Sequence, residues 1–455
     1  MLTLFIAVTT VILVVYGLLK GGYPQAILLL GGVVLLFFTV LLRDTPLMAA
    51  EQSSHWRYFD IFYLINSVMS NRLAGIGLTI MTISGFARYM DHVGASHALF
   101  AIFEHPLKRI RSPYLLLVLG FLLSQILVLF IPSHSGLALL LMVTLYPIFI
   151  RCGVTKLSAL GVIGCAQFID HGPSGPVILA AQLSGMDPVI YFVQHQLPVT
   201  LPVIAAVALS HYVVQRWWDR REAAARLTLP VADEEGERPV PPRPPRCYAL
   251  LPVLPLALII TFSPLFASPV RISIVAAMLI STLTAMLFEL LRLRQPHQVL
   301  GSLMIFIEGM GKAFVLVVSL IICGEVFANG LIKIGAIEAL TQGMHQAGFG
   351  VGTMIVVMSF LLALAAFLMG SGNAAFFPLA GIVPDIASAL QVEVITLMLP
   401  MQIMTSFGRT VSPITAAIVA IAAIAEVSPL QVVKRTAIPM AVAAAVNLGL
   451  NLLWL

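Results

Sequence analysis

Two fifteen-residue stretches, GFARYMDHVGASHAL from Gly85 to Leu99 and VFANGLIKIGAIEAL from Val326 to Leu340, carry Phe-Ala and Gly-Ala-x-x-Ala-Leu in register, 241 residues apart (86 and 327, 94 and 335). Two further pairs follow in the same order. FLLSQ from Phe121, leading into PSHSGLALLL from Pro132, answers FLLAL from Phe360, leading into GSGNAAFF from Gly370. SGMDPVIYFVQHQLP, ending at Pro198, answers AEVSPLQVVKRTAIP, ending at Pro439. Ordered matches at nearly one offset mark a chain built from two homologous halves.

What one half is follows from composition. Of 455 residues, 60% are apolar and 10% are charged, where a soluble domain carries about 25% charge. Apolar runs of about 20 residues, the length that crosses a hydrocarbon core, recur from Leu2 to Leu19, Gln25 to Leu42 and Leu73 to Met90, and continue to the end of the sequence. They are too long for the roughly 10-residue strands of an outer-membrane barrel, so the backbone is expected to be satisfied within helices. The fold class is an all-α polytopic membrane protein. The first run lacks a basic leader and a small-residue cleavage site, and reads as a retained helix. Cys152, Cys165, Cys247 and Cys323 are scattered without CxxC spacing, which gives neither a metal site nor a disulfide framework. The net charge of +5 comes mostly from loop arginines, a topology signal that says nothing for nucleic acid.

The apolar pattern breaks from Gln215 to Arg246, a stretch with Arg220, Arg221, Asp233, Glu234, Glu235, Glu237 and the PVPPRPPR segment from Pro239. It reads as a solvated, partly extended linker. The expected organisation is a first repeat over 1–217, a cytoplasmic linker over 218–246 and a second repeat over 247–455. Loop charge orients the halves, because equivalent loops of inverted repeats should differ in Lys and Arg. HPLKRIRS from His105 is basic, while its counterpart QGMHQAGFG from Gln342 has no Lys or Arg. LRLRQPH from Leu291 is basic, while RDTPLMAAEQSSHWRYFD from Arg43 is balanced. The expected topology is two inverted repeats, each about five spans plus a re-entrant hairpin, in a bacterial inner membrane, with the linker cytoplasmic and both termini periplasmic.

Four breaks interrupt the apolar helices. The tips Pro132-Ser133-His134-Ser135-Gly136 and Gly370-Ser371-Gly372-Asn373 each sit in mid-hairpin, and the following helix of each half breaks at Asp170-His171-Gly172-Pro173-Ser174-Gly175-Pro176 and at Ser406 to Pro413. Broken helices offer unpaired N–H groups and positive dipole ends, which suit an anion. Ser133, His134, Ser135, Gly136, Ser174, Gly175, Ser371, Gly372, Asn373, Thr410 and Ser412 are candidate substrate contacts: glycine lets backbone approach a ligand, and hydroxyls and amides donate to carboxylate oxygens. The bland reading of the same residues is close helix packing by small side chains. Arg409 is the only basic residue between Glu393 and Val433. It either clamps a carboxylate or pairs with a buried acid. Asp170 and His171 are either proton-coupling groups or structural partners of each other or of Arg409. Glu308 and Lys312, at i,i+4, are expected to neutralise one another. Trp217 and Trp218 read as an interfacial anchor.

MGSGNAAFF from Met369, GRTVSPITA from Gly408, SPLQVVKRTAIP from Ser428, FARYMDHVGAS from Phe86 and ILAAQ from Ile178 together resemble the anaerobic C4-dicarboxylate carriers of the DcuC family, within a larger group of inverted-repeat ion transporters. The resemblance runs almost the full length and is closest in the second half, at Ser371, Gly372, Asn373, Arg409, Thr410 and Ser412. It implies transport of succinate, fumarate, malate or a related dicarboxylate, by exchange or proton-linked movement. It implies a homodimer with no cofactor beyond a coupling H+ or Na+, and an elevator motion of the broken helices against outer spans such as Leu2 to Leu42 and Leu250 to Leu291. The rivals are the same fold carrying another organic anion, such as a monocarboxylate or amino acid, an anion channel, or an intramembrane enzyme. Single-chain inverted repeats with mixed tip residues fit a carrier better than a ring-lined pore. No GxSxG, HExxH or paired-Asp motif supports an enzyme.

Overall fold

The computed structural model describes residues 2–20, 22–107, 110, 112–172, 174–225, 245–262, 270–336, 339 and 350–453. Among them the regular structure is entirely helical, and eight helical stretches are long and apolar enough to cross a membrane. Apolar side chains that water would reject stand outward on these helices, among them Phe5, Leu13, Leu209, Leu283 and Phe360. A lipid surround accounts for that pattern, because tails are as apolar as the side chains they meet.

The internal repeat reappears in the element boundaries. Segments start 241 residues apart (73 and 314, 78 and 319, 175 and 416, 188 and 429) or 238 apart (113 and 351, 134 and 372, 156 and 394). The first of these pairs is a π turn in each half, Leu73–Gly77 and Phe314–Val318, inserted at the same place in a long helix. Packing is exchanged between the halves. Pro24–Leu42 lies along Ser319–Ile334, and its counterpart Ile274–Leu293 lies along Leu78–His92. Leu78–His92 also packs on Pro296–Ala313. There Gly85 and Gly309 meet, and a Cβ on Gly309 would come within 2.8 Å of Gly85 Cα. Only glycine at both positions allows the backbones to approach so closely.

Three expectations are corrected. The Arg43 loop ends early, because Arg57–Arg72 is helical and continues through the π turn to His92. The stretch from Gln215 does not begin a solvated linker: Leu197–Ala225 is one helix, and Gln215 and Asp219 are buried. Of the linker, 226–244 lies outside the described residues, as do 342–349 of the second half's QGMHQAGFG loop and Lys108, Arg109 and Arg111 of the basic first-half loop. Glu308 pairs with Arg88 at 3.6 Å, not with Lys312. Helix rotation explains the choice, since Arg88 comes from the packed neighbour through the Gly85 contact.

Candidate functional site

Both hairpins turn where the sequence places polar tips. Pro113–Leu127 and His134–Arg151 form the first; Val351–Met369 and Gly372–Ala380 form the second. Gly370 closes its helix in the left-handed conformation at φ 65°, which favours glycine. Ser133 then caps the first returning helix, accepting from the Gly136 N–H at 3.2 Å, and Ser371 caps the second, accepting from the Ala374 N–H at 3.2 Å. The serine at each tip thus satisfies one orphan amide. The cap at the first tip is Ser133, not His134.

The following helices also break, with one difference from the sequence reading. Lys156–Gly164 ends well before Gly175–Leu183 begins, so Asp170, His171 and Ser174 lie in irregular backbone. In the second half, Val394–Thr410 stays helical through Ser406 and Arg409, and the break runs only from Val411 to Thr415. Thr415 holds the end of that helix by donating to the Arg409 carbonyl at 2.6 Å.

The two breaks meet at a buried ion pair. Arg409 Nη2 donates to Asp170 Oδ1 at 2.8 Å and to the Gln167 carbonyl at 2.9 Å. Gln167 Nε2 donates to the same Oδ1 at 3.0 Å, and Ser406 Oγ donates to Oδ2 at 3.0 Å. The Asp170 carbonyl accepts from Gln196 Nε2 at 2.7 Å and Gln402 Nε2 at 3.1 Å, and Tyr191 donates to Gln402 Oε1 at 2.9 Å. Charges this deep persist only when paired and hydrogen-bonded. Of the two sequence readings of Arg409, the geometry gives pairing with a buried acid, which leaves its Nε edge free. His171 does not join the pair; its Nε2 lies 3.2 Å from the Gln125 carbonyl.

At the breaks stand polar atoms that are buried and have no protein partner: Arg409 Nε, His134 Nε2, Asn373 Oδ1, His171 Nδ1, Ser174 Oγ and Ser412 Oγ. They come from all four breaks. Ser174 stands immediately before Gly175–Leu183, where the counterpart before Ala416–Ile424 is Thr415; Ser412 lies within the second-half break itself. Gly372 lies against the guanidinium, and a Cβ there would sit 3.2 Å from Arg409 Cδ. Gly175 packs beside Ile80 and Phe377. Thr410 is turned into its own helix, donating to the Ser406 carbonyl at 2.8 Å. Ser133 is exposed and Ser135 partly so, which makes the first tip the more open of the two. Pro173 lies outside the described residues. Among the described residues no cluster of three or more His, Cys, Asp or Glu side chains suits a metal.

Sequence reasoning missed Gln167, Gln196, Gln402 and Ser406. Gln402 carried a signal, as the one amide in the apolar run from Val394 to Met404. It also missed Arg435, inside the SPLQVVKRTAIP motif. Arg435 Nη1 donates to Asp219 Oδ1 at 2.8 Å, Ser158 Oγ at 3.0 Å and Gln215 Oε1 at 3.2 Å, and Nη2 lies 2.9 Å from Glu222. This second buried cation ties the last long helix of one half to that of the other.

The C4-dicarboxylate anaerobic carrier family, DcuC, matches residues 2–453. This chain belongs to the DcuC family. The anaerobic C4-dicarboxylate transporter DcuC of Escherichia coli K12 is 31% identical over 440 residues, covering 96% of this chain and 94% of its own. The probable DcuC of Vibrio cholerae is 32% identical over 442 residues, covering 97% and 95%. A putative uncharacterized transporter of Haemophilus influenzae is 30% identical over 195 residues, covering 42% of this chain and 67% of its own. Among solved structures, the Alcanivorax borkumensis YdaH transporter superposes with a TM-score of 0.60 at 14% identity, over 95% of this chain and 97% of that one. That likeness concerns the fold alone.

The DcuC relatives are named as transporters, so membership makes this chain a transporter and not an enzyme, with a small-molecule substrate and a membrane-embedded body. The eight long apolar helices among the described residues fit a multi-pass protein of a bacterial inner membrane.

Proposed function

We propose that this DcuC-family transporter is a secondary carrier of C4-dicarboxylates such as succinate, fumarate or malate, with its substrate site at the four helix breaks. One observation carries the reading: polar atoms from every break are buried without protein partners, and two of the breaks are joined by the Asp170–Arg409 pair. A diacid needs two groups of donors at opposite ends of a short chain, and repeated breaks supply two similar groups. Gly372, Asn373 and the Nε edge of Arg409 serve one carboxylate; His134, Ser174 and Ser412 serve the other.

The ion pair also supplies a means of coupling. A substrate carboxylate that draws Arg409 away leaves Asp170 as an unpaired buried charge, which is costly unless a cation joins it. A proton on Asp170 meets that need, so H+ is favoured over Na+ as the coupling ion, in exchange or in proton-linked movement. His171, bound to the Gln125 carbonyl, is the second proton candidate. The two halves are inverted repeats, the first running to the end of Leu197–Ala225 and the second from 247 to 455, joined by a cytoplasmic linker, with both termini periplasmic. Alternating access proceeds by an elevator-like displacement of the hairpins and broken helices against the outer spans, within a homodimer.

The test is counterflow. Liposomes holding the protein and unlabelled succinate should take up labelled succinate saturably, and Arg409→Ala and Asn373→Ala should abolish that uptake. Absence of counterflow with succinate, fumarate and malate in the wild type would remove the substrate assignment, and uptake of another organic anion would redirect it.

A further inference from the structure

Away from the ion pair, a cavity of about 450 Å³ opens between several elements, with Ile259 and Phe262 at the end of Leu254–Thr261 also on its lining. One wall is the π turn Leu73–Gly77 with Thr79 on the turn beyond it, the second is the far end of Gly175–Leu183 with Gln182, and the third is the start of Ile274–Leu293 with Arg271 and Ser273. The volume lies within the roughly 300–1,000 Å³ range of small-molecule sites. Inside the π turn, Gly75 leaves helical geometry (φ −90°, ψ −106°), and π turns recur at functional sites. Irregular backbone at membrane depth is tolerated where it is buried or lines a cavity.

Of the two charged residues on the described lining, Arg271 and Asp187, the cation is the one left free to meet a ligand. Arg271 is the one cation among the described lining residues and has no ion-pair partner among them. Ser273 caps the adjoining 20-residue helix, accepting from the Ala276 N–H at 3.1 Å, so the positive end of that helix points the same way. Asp187 is the one acid at the rim, and its Oδ1 is already held by the Val189 and Ile190 N–H groups at 2.8 and 3.4 Å.

The cavity and the central breaks border the same helix. Ser174, Ile178 and Gln182 are spaced four residues apart and share a stripe of the Gly175–Leu183 segment and its cap. Ile178 and Gln182 line the cavity, while Ser174 Oγ is one of the partnerless hydroxyls at the central breaks. Nine residues of helix are about 13 Å long, so the two sites stand one short helix apart.

We propose that this cavity is a second, weaker oxyanion site, a vestibule in which a carboxylate of the solute docks on Arg271, with Ser273, Gln182 and Thr79 around it, before passing to the Asp170–Arg409 site. The proposal rests on the carrier reading given above. A phosphate of an anionic lipid headgroup has the same oxyanion chemistry, and the experiment separates the two.

Labelled succinate binding is measured on the purified full-length protein in neutral detergent, with thermal unfolding as the control for folding. The wild type should bind in two phases. Arg271→Ala should lose the weak phase, Arg271→Lys should keep it, and Arg409→Ala should lose only the tight phase. In counterflow, Arg271→Ala should raise KM roughly three- to ten-fold, the loss expected for one accessible charge-assisted contact, with maximal rate unchanged. A single phase, identical in the wild type and Arg271→Ala, overturns the vestibule and leaves the carrier reading standing. An Arg271-dependent site that takes phosphatidylglycerol but no succinate overturns it in favour of lipid. Retention of the tight phase in Arg409→Ala tells against the central site alone, and no succinate binding at all removes both readings.

Discussion

Arg409 Nη2 and Asp170 Oδ1 lie 2.8 Å apart, joining a helix end of the second half to the broken backbone of the first. Both side chains are nearly inaccessible, so neither charge can turn to water when the other is removed. Arg409→Ala or Asp170→Ala alone should therefore cost about 3–5 kcal/mol of stability as well as transport. The double variant Asp170→Asn with Arg409→Gln should regain much of the stability but no transport. Thermal unfolding in detergent beside counterflow separates the two effects; a double variant as unstable as the singles would show that the pair is not the cause.

Ser174 and Ser412 should behave in the opposite way. Their hydroxyls are buried with no protein partner, so removing them deletes no internal bond. Alanine at either position should leave unfolding within about 0.5 kcal/mol of wild type while raising the counterflow KM. Ser133→Ala and Ser371→Ala, which remove caps, should instead cost about 1 kcal/mol each.

Arg435 and Asp219 form the second link between the halves, at 2.8 Å. A double-mutant cycle with Arg435→Met and Asp219→Asn should show coupling of roughly 0.5–3 kcal/mol in unfolding, since each single change strands a buried group. Additive losses would show that the link is not cooperative.

The Gly85 and Gly309 contact leaves no room for a side chain. Gly309→Val should fail to fold or unfold at much lower temperature, whereas Gly301→Ala on the same helix, with nothing within 4 Å of the added atom, should be tolerated. Equal yields and melting temperatures for the two would contradict the packing.

The proposed inverted arrangement predicts which loops face which side. With the other cysteines replaced, Asp44→Cys should react with a membrane-impermeant maleimide in intact cells. Cys247, exposed beside the linker, should react only after the membrane is opened. Labelling of both from one side would refute the topology.

The sequence alone determined the class of solvent, the helical fold and the repeat, because these depend on composition and on spacing along the chain. The recurrence of GFARYMDHVGASHAL in VFANGLIKIGAIEAL reappears as paired π turns and paired helix starts. It also located the hairpin tips and the first-half break, because glycine, proline and serine act locally on backbone geometry. The same local reading misplaced the second-half break, since Ser406, Gly408 and Arg409 are helix-compatible when neighbours satisfy their polar groups. It likewise ended the long helix too early at Gln215, because the charged run of Arg216, Asp219, Arg220 and Arg221 reads as solvated until a partner is known. Which partner Arg409 takes and that Arg435 meets Asp219 were left to the tertiary structure. Each depends on groups more than 200 residues apart in sequence, and only the packing of the two halves against each other brings them within hydrogen-bond reach.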